Sequence, residues 1–313
     1  MRWGLWMLTT NSNVRIVLVK QFLRTHILFI VILAAAAIVW SFIFSAAATD
    51  FITDGSQPYR AVWNGSGQFD LFGYTVYFNF EGYLDYDYYY TSWGQQFVKG
   101  ITPYSDIFNR SEIGGDFYNT PYFFPPLYVY MCALGVSLPM GPFGIGLLLT
   151  IFGYLTALPI YGISTYLSRN NLVGAVSAAT YLFNPVVLFY TVFEWLNPAP
   201  FVFFAILSFY LLMRGNRLSG TLSMTISILF KQTALFMALP LIAYLMRKPP
   251  VENAVVTEDG MKPAGDDLDP RGFCKISIQV LIFVVAISLP YLPDIGNYLY
   301  YIFQRPGGFL IRD

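Results

Sequence analysis

Ile27-Leu-Phe-Ile-Val-Ile-Leu-Ala-Ala-Ala-Ala-Ile-Val-Trp40-Ser-Phe-Ile-Phe-Ser-Ala-Ala-Ala48 carries no charged side chain. About 20 consecutive apolar residues are enough to cross the hydrocarbon core of a bilayer. The run is too long for the core of a signal peptide and no cleavage pattern follows it, so it reads as an uncleaved transmembrane helix. Arg2, Arg15, Lys20 and Arg24 precede it. The positive-inside bias then puts the N-terminus in the cytoplasm, and the chain emerges outside after Ala48. His26 borders the helix on its cytoplasmic side and reads as a headgroup-level residue.

Working outward, Phe117 to Ser168 is also free of charge. Its length suits two crossings, near Phe124–Leu138 and Phe143–Leu167, joined at Pro139-Met140-Gly141-Pro142. Leu172–Tyr190 and Pro200–Met213 follow. Leu218–Met246 is long and is interrupted by Lys231 and Pro240, and Ile276–Pro293 is the last run. The expectation is about six to eight helices. Charge bias resists a regular alternation. Arg214 and Arg217 close one run, Arg247 and Lys248 the next, and Arg169 poses the same difficulty upstream. If both ends of Leu218–Met246 are cytoplasmic, it must be a pair of short or broken helices meeting at Lys231-Gln232. A lysine at that depth is costly unless it faces a cavity or a partner.

Composition supports a multi-pass membrane protein and removes other classes. Of the 313 residues, 56% are hydrophobic and 12% charged, against about 25% charged in soluble domains. Lys+Arg and Asp+Glu are 18 each, so there is no basic excess for nucleic acid. One histidine excludes His-ligated metal clusters and a Ser-His-Asp arrangement with any choice of base. Cys132 and Cys274 lie in apolar runs and read as small core residues. Gly4, Gly141, Gly144 and Gly146 show no phosphate-loop spacing.

The chain divides into 1–49, a cytoplasmic N-terminus and first transmembrane helix; 50–122, an extracytoplasmic loop; 123–246, a transmembrane bundle; 247–272, a cytoplasmic linker; and 273–313, a last transmembrane helix and the start of a second outer loop. Sequons at Asn64 and Asn109 agree with an outer 50–122. That loop is expected to be folded, as short amphipathic helices lying flat on the bilayer and held by Trp63, Phe69, Trp93 and Phe97. The linker is acidic and reads as a solvated tether.

Asp85-Tyr-Asp87 sits inside the outer loop. In an extended segment two carboxylates one residue apart project on the same side. They could share a divalent cation, Mg or Mn, through oxygen ligands. Alternatively one acts as a general base while the other orients it. Ten of the chain's 24 tyrosines fall between Tyr83 and Tyr130, among them Tyr86, Tyr88, Tyr104 and Tyr118. Phenolic rings suit a membrane interface and also stack on sugar faces.

Asp85-Tyr-Asp87-Tyr, Gly100-Ile-Thr-Pro103-Tyr104 and Tyr118-Asn-Thr-Pro-Tyr-Phe-Phe-Pro125-Pro126-Leu127 together resemble the first-loop signature of GT-C glycosyltransferases, polytopic enzymes that use polyprenyl-phosphate sugars. The spacing is nearest to the GPI mannosyltransferase I type, and archaeal and bacterial relatives share the Pro-Pro-Leu form. Phe183-Asn-Pro185, Phe193-Glu194-Trp-Leu-Asn197 and Phe230-Lys231-Gln232 before Pro240 extend the likeness; the last is also similar to the dolichyl-phosphate-glucose glucosyltransferases of the ER. Such enzymes usually read Gly-Gln-x-Asp or Gln-Tyr-Asn where this chain has Glu194-Trp-Leu-Asn197, and they continue beyond the last apolar run. This chain is therefore a truncated or minimal member by that resemblance.

The resemblance implies an all-α polytopic membrane protein, a GT-C-like helix bundle with a long structured first outer loop. It also implies a glycosyltransferase that moves a hexose, mannose foremost, from a polyprenyl-phosphate donor to a glycan or lipid-linked acceptor on the outer or lumenal face. Asp85 or Asp87 would serve as base in an inverting attack, with Lys231, Arg305 or a metal at the donor phosphate. Tyr86, Tyr88, Tyr104, Tyr118, Glu194, Asn197 and Gln232 would complete the substrate contacts. The setting would be the plasma membrane of a prokaryote or the ER membrane of a eukaryote, among membrane lipids, with an accessory subunit as a further partner and no nucleic acid. Two rival readings are a transporter or flippase, disfavoured by the single deep Lys231 and the lack of repeats, and a non-catalytic subunit of a glycosyltransferase complex.

Overall fold

The computed structural model describes residues 12–53, 65–71, 73–80, 86–105, 110–113, 116–119, 122–248 and 268–304. Helix α1 (Ser12–Thr53) contains the opening apolar run. Two antiparallel hairpins follow, β1 (Gly65–Leu71) with β2 (Tyr74–Phe80), and β3 (Arg110–Ile113) with β4 (Asp116–Asn119). Between the hairpins a wide helical turn, Tyr86–Thr91, leads into α2 (Ser92–Val98). The helical remainder comprises α3 (Pro126–Ser137), α4 (Gly144–Leu155), α5 (Ala157–Ser168), α6 (Asn171–Leu182), α7 (Pro185–Phe193), α8 (Pro198–Met213), α9 (Arg217–Phe230), α10 (Leu235–Leu245), α11 (Pro270–Ser288) and α12 (Ile295–Leu299). It is an all-α polytopic membrane protein with two small hairpins attached.

Among the described residues three helical stretches are long and apolar enough to cross a bilayer: Lys20–Ala48, Gly144–Ser168 and Pro270–Ile302. The pair α6–α7 makes a fourth if its 45° bend is one broken span. Pro185 causes the bend, since it has no N–H for the ladder, and Asn184 restarts the helix by accepting from the Val186 N–H at 2.8 Å. Helices α3, α8, α9 and α10 are shorter.

The crossing expected at Phe124–Leu138 is corrected by α3. Its 12 residues span about 18 Å, short of the roughly 30 Å hydrocarbon core. Gly135 near its far end meets Gly144 and Ile145 at the start of α4, so α3 stays at one end of the bundle. The run Leu218–Met246 is the pair of short helices that its two basic ends demand. Helix α9 stops at Phe230, Lys231 is extended (φ −152°, ψ 125°), and a tight turn Gln232–Ala234 opens α10. Arg217 at the start of α9 donates to the carbonyls of Leu245 and Arg247 at the end of α10. Both ends therefore stand together. Arg217 also pairs with Asp269 at 3.3 Å, and Asp269 caps α11 through the Gly272 N–H. The last helix thus begins at Pro270 rather than 273. The linker 249–267 and the sequon residues Asn64 and Asn109 lie outside the described residues, as does Trp63.

Cross-contacts give the bundle two chemically different ends. At one, His26 Nδ1 lies 2.5 Å from the Tyr161 hydroxyl, Gly162 of α5 packs under the Tyr210 ring of α8, and Arg169, Arg214, Arg217 and Arg247 gather. The other is a cluster of buried rings that includes Tyr86, Tyr90, Trp93, Tyr104, Tyr122, Phe124, Tyr128, Trp195 and Tyr291. Between them Trp40 of α1 donates to the Leu182 carbonyl at 2.8 Å, and Tyr154 of α4 donates to Leu33 at 2.6 Å. The outer segment was expected as flat amphipathic helices. Among its described residues are two hairpins, the helical turn Tyr86–Thr91 and the short helix α2, and Trp93 of α2 is fully buried rather than lying on a surface.

Candidate functional site

The aromatic end is built by segments that plug the ends of helices. The first N–H groups of any helix lack intrahelical partners. Tyr86 meets this need for α4, its hydroxyl accepting from the Gly146 N–H at 2.9 Å. Tyr122 meets it for α3, accepting from Val129 N–H at 2.9 Å while donating to the Pro125 carbonyl at 2.6 Å. Tyr104 donates to the Phe124 carbonyl at 2.7 Å. Burial pushes the Tyr104 and Tyr122 phenols well above their ordinary range, so both stay protonated donors at neutral pH.

Two backbone positions in this region lie in the left-handed region that bulky residues avoid: Tyr104 (φ 69°) and Trp195 (φ 53°). Each is held by what surrounds it. The Tyr104 ring packs edge-on against Tyr122, Tyr291 and Tyr298, and its carbonyl accepts from Asn297 Nδ2 at 2.9 Å. Thr102 adds a bond to Asp294 at 3.3 Å, so the final segment clamps this loop. The Trp195 indole lies between Phe44, Tyr86 and Phe143 and against Gly146, where a Cβ would sit 2.5 Å from the ring.

Beside Trp195 the polar residues converge. Asn197 Nδ2 donates to the Tyr90 hydroxyl at 2.9 Å, and Asn197 Oδ1 accepts from Lys231 Nζ at 2.6 Å. The ammonium lies 5.7 Å from the Phe124 ring centre and 5.6 Å from that of Phe201, within cation–π range. Gln232 donates to the Phe123 carbonyl at 3.3 Å, while its Oε1 is buried with no hydrogen-bond partner among the described residues. Glu194, 3% exposed, precedes Trp195. The break after Phe230 puts Lys231 here: continuing the helix would have carried it past this end.

Of the residues singled out by sequence, Asn197 and Lys231 are in direct contact, with Gln232 and Glu194 adjacent along the chain to Lys231 and Trp195. Tyr86 and Tyr104 are buried and pack on other rings, their hydroxyls engaged by backbone. Asp85 and Arg305 lie outside the described residues, as do the side chains of Asp87, Tyr88 and Tyr118, and so does the proposed metal position on Asp85 and Asp87. No group of three or more His, Cys, Asp or Glu that could hold a metal occurs among the described residues. Sequence reading passed over Tyr90, Trp195 and Asn297. Tyr90 belonged to the same tyrosine run, and Gly146 hints at a close approach, but nothing local signals Asn297.

No curated protein and no solved structure matches the chain. The family model of the GPI transamidase subunit PIG-U matches residues 111–299, more than half of the chain. This overturns the GT-C and GPI mannosyltransferase resemblance, and with it the hexosyltransferase activity, the dolichyl- or polyprenyl-phosphate sugar donor and the sugar acceptor. The matched stretch begins after Asp85 and Asp87, so the pair that carried the enzyme reading stands outside it. From Ser111 to Leu299 it takes in both partners of the Asn197–Lys231 contact and the clamp from Asn297: the chain belongs to the family of the GPI transamidase subunit PIG-U.

Proposed function

We propose that the chain is a non-catalytic membrane subunit of a GPI transamidase, working in the ER membrane with its aromatic end toward the lumen. A transamidase exchanges one acyl amide for another, here joining a protein to a glycolipid. The single observation that carries the reading is the family match over residues 111–299. The geometry agrees with it. Several polar residues of the aromatic end join helices: Tyr86 and Tyr122 serve helix starts, and Asn197 links Tyr90 to Lys231. Such groups hold a shape rather than move a proton. Lys231, Asn197 and Gln232 are assigned to contact the anionic part of the glycolipid, together with Glu194, which is buried next to Trp195.

Cells lacking the protein provide the test. A transamidase subunit predicts that the complete glycolipid accumulates and that precursor proteins keep their C-terminal signals. A glycolipid truncated by one sugar would overturn the proposal and restore a transferase.

A further inference from the structure

Helix α11 presents a polar stripe to the bilayer. Its buried side, Phe273, Ile276 and Val280, leans on the α8–α10 cluster. Along one flank of the exposed surface, roughly 90–150° round from that side, Lys275, Gln279, Ile282 and Ala286 follow one another at spacings of four, three and four, and all are exposed, Ile282 at 63%. That spacing is the seam along which membrane helices pack. Gln279 is the middle residue of Pro270–Ser288, about 14 Å from each end. Its amide thus sits near the midplane of a helix that is about as long as the hydrocarbon is thick.

An amide exposed there has neither water nor a partner. Neither Gln279 nor Lys275 has a hydrogen bond or ion pair among the described residues. Other polar side chains on exposed helix faces avoid this cost by returning to their own helix: Ser177 donates to Val173 and Thr180 to Val176, each at 2.9 Å. Glutamine is too long for that bond. The outward face of α10, with Phe236 78% and Leu239 68% exposed, is apolar and suits lipid. The α11 stripe does not.

We propose that this stripe docks a transmembrane helix of another transamidase subunit, one carrying an Asp or Glu near mid-depth. The choice of partner rests on charge complementarity. Lys275 and Gln279 stand one turn apart and both offer N–H donors, and helical side chains lean toward the N-terminus, which brings the Gln279 amide over the Lys275 turn. One carboxylate can accept from both. Ala286 allows close approach beyond it. The inference rests on the subunit reading above.

A photo-reactive phenylalanine analogue at Ile282, in the full chain in its own cell's membranes, tests it. The expected adduct maps to a transmembrane segment of a transamidase subunit that contains Asp or Glu. Gln279→Leu, which suits lipid better and so should not disturb insertion, is expected to reduce that adduct roughly 3- to 30-fold. Gln279→Asn should restore at least half of it. An adduct with a second copy of this chain, with lipid alone, or with a segment lacking an acid overturns the proposal, and so does an adduct unchanged in Gln279→Leu. If transamidase subunits co-purify with the wild type while Ile282 gives no protein adduct, the face is misassigned and the subunit reading stands. If none co-purifies, the subunit reading itself fails.

Discussion

Lys231 shows how a cation is kept in a membrane bundle. Its ammonium has a short bond to Asn197 and two ring faces nearby, and Asn197 is itself fixed by Tyr90. Removing Asn197 leaves a half-buried charge with one fewer acceptor, which typically costs about 1–3 kcal/mol. Removing Lys231 releases the same asparagine oxygen. The two losses overlap, so Asn197→Ala and Lys231→Met should be non-additive, the double variant being less destabilised than the sum by about 0.5–3 kcal/mol. Denaturation of the four proteins in one detergent measures this. Strict additivity would mean that the contact contributes nothing, and the polar cluster would lose its structural meaning.

At the level of elements, close approach decides where the helices stop and meet. Gly146 lets α4 reach the Trp195 ring; an added Cβ would lie 2.5 Å from it. Gly296 in α12 has open space around its missing Cβ. Gly146→Ala should therefore destabilise by about 1–3 kcal/mol through forced repacking. Gly296→Ala should be neutral or gain up to about 1 kcal/mol through the unfolded chain. Equal melting temperatures for the two variants would contradict the packing described. These elements also explain what sequence could and could not reveal. The break at Lys231 was legible because basic residues at both ends of one run leave no other arrangement. Helix α3 was not, because hydropathy measures the apolar character of a segment and not its direction. The hairpins were hidden by aromatic residues that serve strands and interfacial helices alike. Asn197 and Lys231 were singled out from sequence and are in contact in the fold, whereas Tyr90 reaches Asn197, and Asn297 reaches Tyr104, only through the fold. The functional error has the same root. Asp-x-Asp and Pro-Pro-Leu are short patterns, and two of the tyrosines that raised their weight, Tyr86 and Tyr122, serve buried helix starts.

Across the whole molecule, sidedness follows from which charges share an end. The contacts of His26 with Tyr161 and of Gly162 with Tyr210, and those of Arg217 with Leu245, Arg247 and Asp269, collect Lys20, Arg24, Arg169, Arg214, Arg217, Arg247, Lys248 and Arg271 at one end. Arg169, a difficulty when helices were counted from sequence, falls there because α4 and α5 form one span antiparallel to α1. The membrane potential and the insertion machinery keep such clusters in the cytoplasm. We therefore propose that the aromatic end faces the lumen. Single cysteines in a Cys274→Ser background report this; Cys132 is buried and silent. Lys99→Cys, exposed after α2, should react with an impermeant maleimide only from the lumenal side. Asn216→Cys, in the exposed turn between α8 and α9, should react only from the cytoplasm. Labelling of both from one side would break the antiparallel order of α8 with the aromatic end. Inverted labelling would leave the fold intact but turn the molecule over, placing Lys231 and its neighbours on the cytoplasmic face, where they could take no part in a lumenal transamidase.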